Sequence, residues 1–111
     1  MNLLTRIEEI VLLAVYQLGD NAYGVTIRQY IEQTINQKFS VGAIYVPLDR
    51  LTRRGLLTSY MGEPTPERGG RSKRYYLITS EGINALQATK EMQDALWLGF
   101  SGSEAPQSGL S

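Results

Sequence analysis

The sequence of 111 residues contains neither cysteine nor histidine. Disulfides are therefore excluded, a zinc site would lack its usual ligands, and thiol or imidazole catalysis has no residue to perform it. Long apolar runs are also missing. The longest, Ile10 to Tyr16, is far short of the roughly 20 residues that cross a bilayer. Glu8 and Glu9 precede it, where a signal peptide carries basic residues. No phosphate-binding glycine loop, no clear acid pair and no internal repeat is visible. The expectation is a soluble, uncleaved, non-enzymatic chain without metal or cofactor. The absence of thiols agrees with a cytoplasmic location. The length suits one hydrophobic core.

What is present is charge of both signs, unevenly placed. Eleven basic and eleven acidic residues cancel, which argues against a nonspecific polycation. Between Lys38 and Tyr75, however, eight positive charges face three negative ones, a net +5. The rest of the chain carries −5, with three positive and eight negative charges. Such polarity is the footprint of a basic face on an acidic body, although a solvated charged loop would also produce it.

Apolar spacing predicts a helix over Leu4 to Leu18, through Ile7, Ile10, Val11, Ala14 and Leu18. Gly19-Asp20-Asn21 stops it. A second helix is expected from Tyr23 or Gly24 to Asn36, burying Ile27, Tyr30 or Ile31, and Ile35. Ser40 is a good N-cap for a third, from Val41 to about Arg54, with Ile44, Leu48 and Leu51 inward and Gly55 as its stop. Leu57 to Met61 and Lys73 to Ile78 read as strands around a turn-rich basic loop. Thr79 or Ser80 caps a last helix, Glu81 to about Phe100. Residues 101–111, rich in Ser, Gly and Pro, read as a disordered tail. This order predicts a mainly α chain with a small β-hairpin. It is a winged helix-turn-helix of three helices and a two-stranded wing (residues 1–79), followed by a long C-terminal dimerisation helix (80–100).

On a helical wheel the third helix turns Gly42, Val46, Asp49 and Arg53 outward, with Tyr45 and Arg50 at the shoulders. A plain solvent face would be mostly Glu, Lys and Gln. A recognition helix reads base edges with its first turns and reaches the backbone with later ones. Ser40, Gly42, Tyr45 and Val46 are therefore candidates for the major groove, Val46 against a thymine methyl, and Arg50, Arg53 and Arg54 for phosphates. A half-buried core aromatic is the alternative reading of Tyr45. Pro47 lacks the N–H that would bond to Ala43, so either the helix starts later or it is kinked. Around Gly69-Gly70 the hairpin tip gathers Arg68, Arg71, Lys73 and Arg74, suited to phosphates or a narrow minor groove.

An ordered set of residues resembles a known family. Glu9 to Ala14, Tyr23-Gly24-Val25 with Ile27, Gly42-Ala43-Ile44-Tyr45, Arg50-Leu51 and Gly55-Leu56-Leu57 resemble the PadR-like transcriptional regulators. Arg71, Lys73 to Leu77, Thr79, Glu81-Gly82 and Leu86 continue the likeness. It covers about residues 7 to 90 and is closest to the shorter branch with a single C-terminal helix. One departure is that Val46 separates Tyr45 from Pro47, where many relatives carry Pro directly after Tyr. The resemblance implies a winged-helix fold, a homodimer built through the C-terminal helix and, usually, repression of transcription.

The last helix has an apolar arc near 200°, wider than one core requires. Ala85, Ala88, Met92, Ala95, Leu96 and Gly99 are the expected dimer face. Trp97 extends the arc; an anchor in the dimer core is its favoured role. By the family resemblance it is also a candidate to stack a flat hydrophobic effector between subunits. The expected partners are double-stranded DNA and a second copy of the chain, with no membrane. A winged helix that serves protein–protein interaction without DNA is the alternative.

Overall fold

The computed structural model describes residues 2–64 and 72–103. The first helix, α1, runs over Arg6–Leu18. It begins two residues later than the apolar spacing predicts, because Thr5 caps it. The Thr5 hydroxyl accepts the Glu8 N–H at 3.1 Å, while the Glu8 carboxylate accepts the Thr5 N–H at 2.8 Å. Leu4 stays outside the helix yet packs on the core. A single 3-10 turn at Gly19–Asn21 leads to α2, Gly24–Ile35. Thr26 fastens the start of α2, accepting the Tyr23 N–H at 3.0 Å and donating to the Asn21 carbonyl at 2.6 Å. Ile27 and Ile31 are buried, but Ile35, expected inside, is 40% exposed. It occupies the last turn, where the chain leaves the core for the Asn36 cap in the left-handed conformation.

Helix α3 spans Val41–Arg53, and the Ser40 hydroxyl accepts the Ala43 N–H at 3.1 Å. It starts at Val41 and passes through Pro47, so a later start is not the answer to that proline. Pro47 lies buried beside Ile44, Leu48 and Leu51. Strands β1, Leu57–Met61, and β2, Arg74–Ile78, pair antiparallel with Leu57 opposite Ile78 and Met61 opposite Arg74. The hairpin does not hang free. The Tyr76 N–H donates to the Ala22 carbonyl at 2.8 Å, and Tyr23 bridges Tyr75, so the turn before α2 serves as a short third strand.

The last helix, α4, covers Ser80–Trp97. Thr79 caps it by accepting the Gly82 N–H at 3.0 Å and ties it to the end of α3 by donating to the Gly55 carbonyl at 2.8 Å. At Gly82 the helix is pressed onto the strands: a Cβ there would collide with the Leu56 carbonyl and the Ile78 side chain. The helix ends three residues before the expected Phe100. Leu98 has already left the helical conformation, at φ −58° and ψ 127°, and Gly99 adopts φ +85°, a left-handed conformation that favours glycine and stops the helix. The core is one cluster, in which Val11, Leu12 and Val15 of α1 meet Ile27 and Ile31 of α2, Ile44, Leu48 and Leu51 of α3, and Leu57 and Tyr76 of the hairpin. Helix α1 is its centre, and α3 rests on it with one face while the other is left to solvent. Three helices, a two-stranded wing and a C-terminal helix make this a winged helix-turn-helix. No described helix is long and apolar enough to cross a membrane.

Candidate nucleic-acid interface

The exposed side of α3 is assembled from the residues that its inward stripe leaves over. Val41 is 54% and Val46 55% exposed, and Gly42, Asp49, Arg50 and Arg53 share the surface with them. Among the described residues nothing lies within 4 Å of where a Gly42 Cβ would stand, so their packing does not demand glycine there. Tyr45 is intermediate between the two expectations for it. Its ring is partly exposed, while its hydroxyl end lies against Gly24 at the start of α2, where any Cβ would displace it. Gly24, Val25, Arg28, Val41 and Tyr45 border an open hollow of about 310 Å³ between α2 and α3.

The arginines of α3 separate into two kinds. Arg53 points outward with no ion pair among the described residues. Arg54 turns inward, its Nη1 3.0 Å from Glu8 Oε1 and its Nη2 3.2 Å from the Asn2 carbonyl. Arg50 stands between them, about half exposed, with Nη1 3.8 Å from the second Glu8 oxygen. Glu8 itself is 1% exposed. Its carboxylate therefore caps α1 and holds the C-terminal end of α3 at the same time. Sequence reasoning grouped Arg54 with the phosphate ligands and gave Glu8 no role. The Thr5-x-x-Glu8 spacing was a readable capping box, but the partner 46 residues away was not local information.

In the wing, Lys73 Nζ lies 4.3 Å from the centroid of the Tyr23 ring. Arg74 Nη1 donates to the Ser59 hydroxyl at 3.1 Å. Tyr75 stacks on Tyr60 with centroids 5.4 Å apart and meets Tyr23 edge-on at 5.3 Å. Three tyrosines, none given a structural role from sequence, thus brace the loop end of the hairpin against the start of α2. Arg68 and Arg71 lie outside the described residues.

Along α4 the expected dimer residues fall into three groups. Ala85 packs against the core, and Ala88 and Met92 border a small hollow with Leu3 and Leu4 of the same chain. Ala95 and Leu96 are exposed, Leu96 at 75%, beside Trp97, Leu98 and Phe100. Gly99 lies beyond the helix. Trp97 meets Phe100 edge-on at 5.0 Å. On the opposite flank of α4 an open groove of about 460 Å³ runs along α1, bordered by Leu13, Tyr16, Ile83 and Leu86. Gln93 donates across to Glu9 at 3.0 Å.

Residues 12–88 match the sequence model of the transcriptional regulator PadR-like family. Among solved structures, the chain is similar to a transcriptional regulator from Clostridium thermocellum, with 27% identity over 81% of this chain and 84% of that one, at a TM-score of 0.68. A PadR-like transcription factor from Bacteroides fragilis shares the fold at 24% identity, covering 81% and 82%, with a TM-score of 0.70. A PadR family regulator from Clostridium difficile does so at 22% identity, covering 83% and 91%, with a TM-score of 0.66. No curated protein sequence matches the chain.

Proposed function

Because the chain belongs to the PadR-like family of transcriptional regulators, we propose that it is a cytoplasmic repressor that binds specific duplex DNA as a homodimer. Helix α3 enters the major groove, with Ser40, Gly42, Tyr45 and Val46 toward the bases and Arg50 and Arg53 on phosphates. The wing, residues 62–74, follows the backbone or the minor groove with Arg68, Arg71, Lys73 and Arg74. The observation that carries this reading is the outer face of α3, which combines exposed valines, a glycine free of internal contacts and an outward arginine. A face kept only for solubility would be mostly Glu, Lys and Gln.

The dimer is supported by the end of α4, where Leu96, Trp97, Leu98 and Phe100 are more than half exposed. Small proteins rarely leave such a patch uncovered, and a twofold copy of the same patch is the simplest cover. Trp97 is read as an anchor of that interface. A dimer of this kind presents two copies of α3 to one face of the duplex.

Selection from a pool of random-sequence duplexes, by successive rounds of binding to the purified protein, tests the proposal. It predicts enrichment of an inverted repeat with half-sites about 10 base pairs apart, centre to centre, or a multiple of that spacing. If no sequence is enriched and moderate salt abolishes all binding, the DNA reading falls. The winged helix would then serve a protein partner.

A further inference from the structure

The first two turns of α3 offer almost no hydrogen-bonding side chains to a ligand. Val41, Gly42, Ala43 and Val46 carry no polar side-chain atom. The Ser40 hydroxyl accepts the Ala43 N–H, which leaves it one O–H to donate, and the Tyr45 hydroxyl lies on Gly24. What this end does present is apolar: Val41 and Val46 are each more than half exposed, and Val25, across the hollow on α2, is 50% exposed. Arg28 of α2 also borders the hollow, but on α3 itself charged groups begin with Asp49, about 12 Å further along the axis than Val41, and the outward Arg53 is about 18 Å away.

Arg53 thus lies more than the width of a DNA groove behind Val41. The major groove is about 12 Å wide. A helix entering it by its N-terminal end therefore sets Val41 and Val46 at base edges and Arg53 at the phosphate wall. On the major-groove edge, an aliphatic side chain can distinguish bases through one apolar group, the thymine C5 methyl; the other features are hydrogen-bond donors and acceptors. We infer that Val41 and Val46 read thymine methyl groups, so that methyl contacts rather than hydrogen bonds set base preference at this end of the helix. The inference rests on the DNA-binding reading above and specifies its chemistry. Covering a thymine methyl removes apolar surface of both partners from water, whereas a cytosine amino group facing the same valine loses its water partner without gaining another.

The test uses a fragment enriched by the selection described above. Its thymines in each half-site are replaced by deoxyuridine, which retains every hydrogen-bonding atom and removes only the methyl. Fluorescence anisotropy should show affinity falling about fourfold per contacted methyl, so about sixteenfold where each protomer of the dimer loses one and roughly two-hundredfold where each loses two, from about 0.8 kcal/mol for each buried methyl. The V41A/V46A variant, checked for an unchanged circular dichroism spectrum, should bind the thymine fragment more weakly and the two fragments nearly equally. Valines that only supported the fold would weaken both fragments by the same factor. The inference is overturned if the wild-type protein binds both fragments within twofold, or if the variant keeps the wild-type ratio. Failure to enrich any sequence would instead remove the DNA reading itself, and this inference with it.

Discussion

Glu8 joins two helices whose relative position decides how α3 is presented. Replacing it by alanine removes three things at once: the acceptor of the Thr5 N–H at 2.8 Å, the partner of Arg54 at 3.0 Å and the more distant partner of Arg50 at 3.8 Å. Breaking a buried ion pair by deleting one member costs about 3–5 kcal/mol, because the other charge is left without compensation. Arg54 retains 25% side-chain exposure, so water reaches it and the lower end of that range applies, about 3 kcal/mol. Glu8→Gln keeps the volume and one acceptor oxygen and should cost about 1.5 kcal/mol, the scale of a hydrogen bond to a charged group. Urea unfolding at fixed protomer concentration measures both, with an unchanged slope expected in each. A double-mutant cycle with Arg54→Met should return a coupling of at least about 1 kcal/mol. A Glu8→Ala variant within about 0.5 kcal/mol of the wild type, on the scale of an ordinary surface change, would refute the reasoning. So would a cycle without coupling.

Gly24→Ala places a Cβ against the Tyr45 ring and should cost about 1–3 kcal/mol by overpacking; the cost should largely vanish in a Tyr45→Ala background, where no ring obstructs it. The carboxyl of Glu32 titrates below its ordinary 4.5, chiefly because it accepts the Phe39 N–H, with Arg28 adding to the effect. Its stabilising contribution is therefore complete above about pH 4.5 and is lost as the pH falls through the lowered value. Glu32→Gln should flatten the acid limb of a stability–pH curve there and leave neutral pH behaviour otherwise parallel. Leu96→Glu combined with Trp97→Glu changes two exposed side chains, so the monomer fold should persist by circular dichroism while sedimentation shows dissociation to monomers at micromolar concentration. A variant that stays dimeric would place the interface elsewhere.

The sequence revealed most where local chemistry and packing agree. Ser40 as a cap, the Ile44, Leu48 and Leu51 stripe and Gly55 as a stop lie next to one another in the chain, and α3 follows from them. The ends of α1 and α4 were misread for one shared reason: apolar spacing continues past the helix through Leu4 at one end and through Gly99 and Phe100 at the other. Thr5 with Glu8, and the left-handed Gly99, decide those ends through backbone hydrogen bonding and conformation, to which a hydrophobic wheel is blind. Ile35 has the spacing of a core residue, yet it stays 40% exposed, on an open hollow bordered by Ile10 and Leu13 of α1. The division of labour among Arg50, Arg53 and Arg54 was illegible because Glu8, on another helix, contacts Arg50 and Arg54 but not Arg53. The same holds for the Tyr23, Tyr60 and Tyr75 brace, whose members come from three separate segments.

The central claim is that the outer face of α3 grips DNA, and Arg53 tests it most directly. An anisotropy titration of the enriched fragment over a range of salt concentrations, for the wild type and Arg53→Ala, compares the slopes of log affinity against log salt. Each phosphate contact contributes about 0.9 to that slope, so a dimer that loses one contact per protomer should show a slope shallower by about 1.8. It should also bind more weakly at low salt. Identical slopes and affinities for the two proteins would mean that Arg53 does not touch the duplex, and that α3 does not lie in the groove as described.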